Sequence, residues 1–245
     1  MDIKEKMCFG FDELVKYGPV TIVAFGDSIT HGAFLDEIDY ESVYWRRLQK
    51  KIQDINAYVP VNIINAGIGG TSAASSIGRM DTQVLVHKPD LVIVCFGLND
   101  VNEPLDKYLT ALRVIIDKCR SNGSDVIFMT PNMLNTYVAE DTPQKHIKYA
   151  AVTAEYQNSG KMDKYMYAAA ETAENAGALV CDCYSQWKEL SKVRDTTLML
   201  ANRINHPIKA MHELFAQALF DMIFNKQIQI KHEEYDLMYN KLNLR

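Results

Sequence analysis

Val20-Thr21-Ile22-Val23-Ala24-Phe25-Gly26-Asp27-Ser28-Ile29-Thr30-His31-Gly32 is the stretch from which the fold is read. Its first six residues form a nearly unbroken apolar, β-branched and aromatic run that stops at Gly26, the pattern of a strand buried on both faces of a parallel sheet. A strand, a glycine turn and a helix start put Ser28 at the carboxyl edge of that sheet, with backbone N–H groups pointing at whatever its hydroxyl attacks. The same residues also suit a plainer role, because Asp27, Ser28 or Thr30 can simply cap the next helix. The rest of the chain decides between the two.

The β-turn-α pattern recurs. Pro60 to Asn65 reads as a second strand, ending in Ala66-Gly67-Ile68-Gly69-Gly70-Thr71-Ser72, and Leu91 to Phe96 as a third, ending in Gly97-Leu98-Asn99-Asp100. Asp125 to Pro131 and Ala178 to Asp182 give a fourth and a fifth. Helical periods lie between them: Glu41 to Ile55, a helix through Met80, Val84 and Leu85, one from Pro104 to the Asn122-Gly123 stop, and an alanine-rich one around Tyr165 to Ala176. A last amphipathic helix covers Ala210 to Phe224. Alternating strands and helices imply an α/β three-layer sandwich around a five-stranded parallel sheet, with the flavodoxin-like order 2-1-3-4-5.

At 245 residues, with no Pro/Gly/Ser-rich linker, residues 1–245 are expected to form a single domain. The formal net charge of -5 gives no electrostatic footprint for nucleic acid or an anionic membrane, so the expected partner is a small molecule. Met1 to Lys6 lacks the pattern of a signal peptide, and the five scattered cysteines suit reduced thiols better than disulfides or a zinc site. The expectations are a cytoplasmic location, no metal and no cofactor. The long segment 132–158 reads as a substrate lid or a plain surface excursion. The polar, apolar-studded tail 226–245 can dock on the body or pair with a second copy as a homo-oligomer.

In the order 2-1-3-4-5 the loops after the first three strands meet at one edge, the topological switch point where ligands bind. Ser28, Gly67 and Asn99 occupy those loops. A serine hydroxyl flanked by a backbone N–H of a glycine-rich turn and by a carboxamide N–H is a nucleophile with an oxyanion hole, as acyl transfer requires. Of six histidines, His206 is best placed as base: Pro207 marks a helix start and leaves His206 in the preceding loop, where a cap or surface role is the alternative. His31 is expected to point along its helix rather than at the serine, and His212 to pack in the core. Trp45, Tyr40 and Tyr44 read as core or as pocket lining.

These residues resemble the SGNH, or GDSL, hydrolase superfamily. Gly26-Asp27-Ser28-Ile29-Thr30 matches its first block, Asn65-Ala66-Gly67-Ile68-Gly69-Gly70 its second, Gly97-Leu98-Asn99-Asp100 its third and His206-Pro207 most of its fifth. The resemblance implies Ser28 as nucleophile, the N–H groups of Ser28 and Gly67 with the Asn99 side chain as oxyanion hole, His206 as general base, and ester or acyl hydrolysis without metal or cofactor. The family's last block usually reads Asp-x-x-His, whereas Arg203 stands three residues before His206 and Asn202 four before. Asn202 is the candidate to accept the imidazole N–H in the acid's place; a nearby main-chain carbonyl is the other. On the first reading Asn202→Asp preserves or raises turnover.

The resemblance thus implies a serine esterase removing a short acyl group, such as acetyl, from a small substrate, with carbohydrates among the candidates. The alternative is a catalytically weak or inactive relative that binds an acylated ligand. A dinucleotide loop at Gly67 to Gly70 fails, because Gly-x-Gly-x-x-Gly needs glycine where Ser72 stands.

Overall fold

The computed structural model describes residues 2–224, so the tail 226–245 and any pairing through it lie outside the described residues. Two short helices, α1 (Ile3–Lys6) and α2 (Phe11–Tyr17), precede β1 (Val20–Gly26), α3 (Ser28–His31) and α4 (Tyr44–Gln53). β2 (Val61–Gly67), α5 (Ala73–Ser76), α6 (Met80–Gln83), β3 (Leu91–Cys95) and α7 (Leu105–Ser121) follow. The remainder is β4 (Asp125–Met129), α8 (Ile147–Asn158), α9 (Lys161–Asn175), β5 (Leu179–Cys181), α10 (Cys183–Ser191) and α11 (His212–Ile223).

All five strands pair in parallel in the order β2-β1-β3-β4-β5. β1 and β3 hold the centre because their side chains are apolar on both faces: Ile22 to Phe25 and Val92 to Cys95 are wholly inaccessible to water. One layer brings α4, α10 and α11 together and the other α5, α7 and α9, so both faces of the sheet are covered. At the amino end of the sheet Lys6 and Asp90, both nearly buried, form a 2.8 Å ion pair, and Asp90 also accepts the Thr21 N–H.

Two expected elements differ. The helix through Met80 to Leu85 is broken into α5, a 3-10 turn at Ile77–Arg79, α6 and another 3-10 turn at Leu85–His87. Gly78 weakens a continuous helix there, and the break turns Arg79 inward to donate to Gly26 O at 3.1 Å and Ala66 O at 2.5 Å, tying the ends of β1 and β2 together. Segment 132–158 is not one long loop. Asn132 to Asn135 are buried and residues from Ile147 form α8, whose exposed Ile147, Tyr149 and Val152 blur the helical period in the sequence.

Tyr44 and Trp45 are core residues that brace α3. The Tyr44 hydroxyl lies 3.0 Å from Thr30 Oγ1, and the Trp45 indole N–H donates to Thr30 O at 2.9 Å. Tyr40 remains half-exposed. Among the described residues no helix is long and apolar enough to cross a membrane, no cluster of three or more His, Cys, Asp or Glu suits a metal ion, and all five cysteines are free.

Candidate active site

Ser28 opens α3 directly after β1, with Asp27 as N-cap accepting the Ile29 N–H at 3.0 Å. The turn can be this tight because a Cβ on Gly26 would lie 2.5 Å from Cys95 O and 2.3 Å from Thr30 Oγ1. His206 arrives from the opposite end of the chain, and its Nε2 stands 2.9 Å from Ser28 Oγ. The other ring nitrogen, Nδ1, lies 2.6 Å from the main-chain oxygen of Phe34. A carbonyl only accepts, so Nδ1 carries the proton and Nε2 presents its lone pair to the serine hydroxyl. Burial lowers the His206 pKa below its ordinary value, the Phe34 carbonyl opposes that by favouring the charged ring, and nearby His146 adds to the lowering. The net shift favours the neutral imidazole, the state a base requires.

The acceptor for the imidazole N–H is Phe34 O and not Asn202, which corrects one expectation. Asn202 Oδ1 instead takes the N–H groups of Ile204, Asn205 and His206 at 3.0, 3.0 and 2.9 Å, and its Nδ2 donates to Asn205 Oδ1 at 2.9 Å. It shapes the loop that carries the histidine. Arg203, three residues before His206, adopts φ +58° and turns away to pair with Asp141 at 2.7 Å. No carboxylate from the two acids of the neighbouring segments takes up the imidazole N–H instead: Asp182 caps α10 through the Ser185 N–H, and Asp195 accepts from the Tyr137 hydroxyl at 2.6 Å.

A second expectation is corrected at the glycine-rich turn. The Gly67 N–H donates to Asn65 Oδ1 at 2.9 Å and so cannot also serve an oxyanion. Gly67 is needed for space, since a Cβ there would meet His31 N at 2.3 Å. In the same turn the Ile68 N–H goes to Gly26 O, the Gly69 N–H to His31 Nδ1 at 3.2 Å and the Thr71 N–H to Ile68 O. The Gly70 N–H takes no acceptor among the described residues, and nor does that of Ser28. The turn lies against the serine, because a Cβ on Gly69 would sit 3.7 Å from Ser28 Cβ. Asn99 donates one amide hydrogen to Thr71 O at 2.9 Å, which fixes its carboxamide to this turn and leaves its second hydrogen. Residue type alone does not mark Gly70, because which turn amides find acceptors depends on the Asn65 and His31 side chains.

Two carboxyls are buried behind the site. Burial raises the Asp27 pKa to about 7, with the charge of Asp100 adding to it, and burial raises that of Asp100 to about 6. Each uses one oxygen, on Ile29 N and on Ala73 N at 2.8 Å respectively, and leaves the other without a partner. Asp100 thereby joins the third loop to the start of α5 behind the glycine turn.

Segment 132–158 is fastened to the histidine loop. Asn135 N donates to Ile204 O, Asn132 Nδ2 to Asn205 O and Thr136 N to Thr197 Oγ1, each at 2.9 Å. These bonds make its first part a buttress for His206.

The profile of the GDSL-like lipase/acylhydrolase family matches residues 24–214. The chain is 33% identical over 118 residues to YqeF of Bacillus subtilis (strain 168), an uncharacterised lipoprotein; this match spans 44% of the chain and 47%, about half, of that relative. It is 24% identical over 179 residues to an acetylxylan esterase of Geobacillus stearothermophilus, covering 68% of the chain and 74% of the relative. The crystal structure of an acetylxylan esterase from that organism superposes with TM-score 0.65 at 22% identity, over 83% of this chain and 94% of that one. LAE5, an alpha/beta hydrolase enzyme from the metagenome of Lake Arreo, Spain, superposes with TM-score 0.64 at 20% identity, over 84% and 95%. These likenesses share the fold described above.

Proposed function

We propose that this chain, which belongs to the GDSL-like lipase/acylhydrolase family, is a serine ester hydrolase that works through Ser28 and His206. The observation that carries the reading is the relay from Ser28 Oγ to His206 Nε2 at 2.9 Å and from Nδ1 to Phe34 O at 2.6 Å. Ser28 Oγ attacks the ester carbonyl carbon as its proton passes to Nε2, while Nδ1–H stays on the Phe34 carbonyl. The oxyanion that forms is met by the N–H groups of Ser28 and Gly70 and by the free amide hydrogen of Asn99. The imidazolium then protonates the departing alcohol, and water, activated by the same ring, releases the acyl group from Ser28. The partner that steadies the imidazolium is a carbonyl dipole and not a carboxylate, so the machinery is a Ser–His dyad with a main-chain support.

The acyl group is short, acetyl in the first instance, and the alcohol portion is carbohydrate; likeness to an acetylxylan esterase over 68% of the chain supports both. The five free cysteines support a reducing, cytoplasmic setting. The common apolar core beneath all five strands supports reading the chain as one domain. Hydrolysis rates measured across p-nitrophenyl esters of rising chain length, beside acetate release from acetylated xylooligosaccharides, test the substrate reading. It holds if the acetyl ester is the best of the series and the oligosaccharide is deacetylated. Preference for long chains, or no turnover of any ester, overturns it.

A further inference from the structure

Phe34 O, the support of the His206 ring, itself needs support. A main-chain oxygen works as a partner for the imidazole only if the peptide carrying it is held in place relative to the ring. Phe34 lies in a hairpin, outside the sheet, that hangs between α3 and α4. The hairpin is closed by the Ala33–Ile38 bridge, by Phe34 N to Glu37 O at 3.0 Å and by Asp39 N to Gly32 O at 2.9 Å. Its return limb carries Glu37 and Asp39. Asp39 is itself fixed, accepting the N–H groups of Glu41 and Ser42 and the Ser42 hydroxyl.

Lys209 follows His206 by three residues and reaches across to this limb. Its Nζ lies 2.8 Å from Glu37 Oε1 and 2.8 Å from Asp39 Oδ2, and 5.5 Å from the centre of the Phe34 ring. Its main chain is anchored too: Arg47 Nη2 donates to Lys209 O at 3.2 Å, and the preceding Ile208 N–H goes to Met199 O at 2.9 Å. His206, the backbone to Lys209, the ion pairs, the hairpin and the Phe34 carbonyl therefore close a ring. We propose that Lys209, with Glu37 and Asp39, is a positioning device for the general base: the cation holds the hairpin at the spacing that keeps Phe34 O on His206 Nδ1. This rests on the Ser–His reading above. Exposed ion pairs contribute little to stability in general, so the role of this one is registry.

The device predicts a sign that loss of the charge alone does not. The groups facing His206 are Ser28, Phe34 O and His146, with His212 beyond the Phe34 ring, which lies 5.1 Å from it. Removing the charge of Lys209 acts on the ring in two opposed ways. Loss of a nearby cation, and exposure of two carboxylates, would raise the His206 pKa; displacement of Phe34 O would lower it, because that hydrogen bond favours the charged ring. The base acts as neutral imidazole, so a lower pKa moves the acidic limb of kcat/KM to lower pH.

The test is the pH profile of the wild type, Lys209→Met, Lys209→Arg and Glu37→Gln on p-nitrophenyl acetate. Ser28→Ala is the control for the Ser–His reading, and Lys118→Gln, which breaks the remote 3.0 Å pair with Asp81, the control for loss of a surface ion pair. We expect Lys209→Met to lower kcat about tenfold with KM within about twofold, and to shift the acidic limb down by about half a pH unit. Lys209→Arg should restore both, Glu37→Gln should give a smaller effect of the same sign even if Lys209→Met folds poorly, and Lys118→Gln should resemble the wild type. An acidic limb that stays put or moves up in folded Lys209→Met and Glu37→Gln overturns the proposal, whatever happens to kcat. Substantial activity in Ser28→Ala instead overturns the Ser–His reading on which it stands.

Discussion

Replacing Asn202 by alanine separates the two roles considered for that residue. The side chain, 8% exposed, accepts three backbone N–H groups with Oδ1 and donates to Asn205 Oδ1. Alanine removes all four contacts. A buried donor left without an acceptor costs about 1–3 kcal/mol, and water entering the vacated space relieves part of that, so the expected loss is about 3–5 kcal/mol. That is a large fraction of a total stability of about 5–15 kcal/mol. The melting temperature should fall by about 6–20 °C for a chain of this size. Turnover should fall with it, because the His206 N–H is one of the three donors and the ring loses its fixed approach to Ser28. Asn202→Asp keeps all three acceptor contacts, and the Asn205 amide can turn round to donate to the new carboxylate. Its stability should stay within about 1 kcal/mol of wild type and its kcat within about threefold, because Nδ1 is already taken by Phe34 O. Urea unfolding followed by circular dichroism gives the first pair of numbers, and initial rates on p-nitrophenyl acetate the second. A stability loss below about 1 kcal/mol for Asn202→Ala would refute the loop-shaping role. A large gain in kcat for Asn202→Asp would show that the carboxylate reaches the imidazole after all.

Three further outcomes are expected. Asn99→Ala should lower kcat by about 10²–10³ with a lesser change in KM, since an oxyanion donor acts on charge that develops in the transition state; a change confined to KM would make Asn99 a substrate-binding residue. Asp27→Asn should flatten the pH dependence of stability. With its folded pKa at about 7 against 3.8 for the ordinary group, the folded protein holds a proton that the unfolded chain has lost between these values, so Asp27 contributes a loss of stability as pH rises through that window. The variant keeps an oxygen for the Ile29 N–H and should be more stable than wild type at pH 8, by at most roughly 4 kcal/mol, and no more stable at pH 4; equal stabilities at pH 8 in urea titrations would count against the buried charge. The acidic limb of kcat/KM should lie below pH 6.5, the ordinary histidine value, because His206 is pushed downward, and His146→Gln should move it up. A limb above 6.5, or one unmoved by the His146 change, contradicts the stated causes.

The sheet could be read from the sequence because strands buried on both faces leave uninterrupted apolar runs, as in Val20 to Phe25 and Leu91 to Phe96, each ended by a glycine. The same logic put Ser28 and Asn99 at one edge. Pro207, expected to start a helix, instead pairs with Leu200 in an isolated bridge, and the helical turn begins only at Lys209, so His206 lies in the expected loop for a different reason. What stayed hidden depends on the main chain. The carbonyl that orients His206 belongs to Phe34, 172 residues away, and a carbonyl leaves no mark in residue type. That Gly70 and not Gly67 keeps an open N–H turns on Asn65 folding back on its own turn. Asn202 has the right position for an imidazole partner and spends its oxygen on three neighbouring amides, a habit of asparagine that spacing alone does not distinguish. The buttress in segment 132–158 escaped because α8 has no clear polar face, and its tie to the histidine loop rests on asparagine and threonine contacts.

The most direct test of the account is peptide mapping by mass spectrometry after exposure to a fluorophosphonate, whose phosphorus takes the serine oxygen as fluoride leaves. A single phosphonyl group is expected on Ser28 in the wild type and none in folded His206→Ala at the same exposure. A wild-type Ser28 that stays unlabelled, or labels equally well without His206, contradicts the claim that this serine is activated by this histidine.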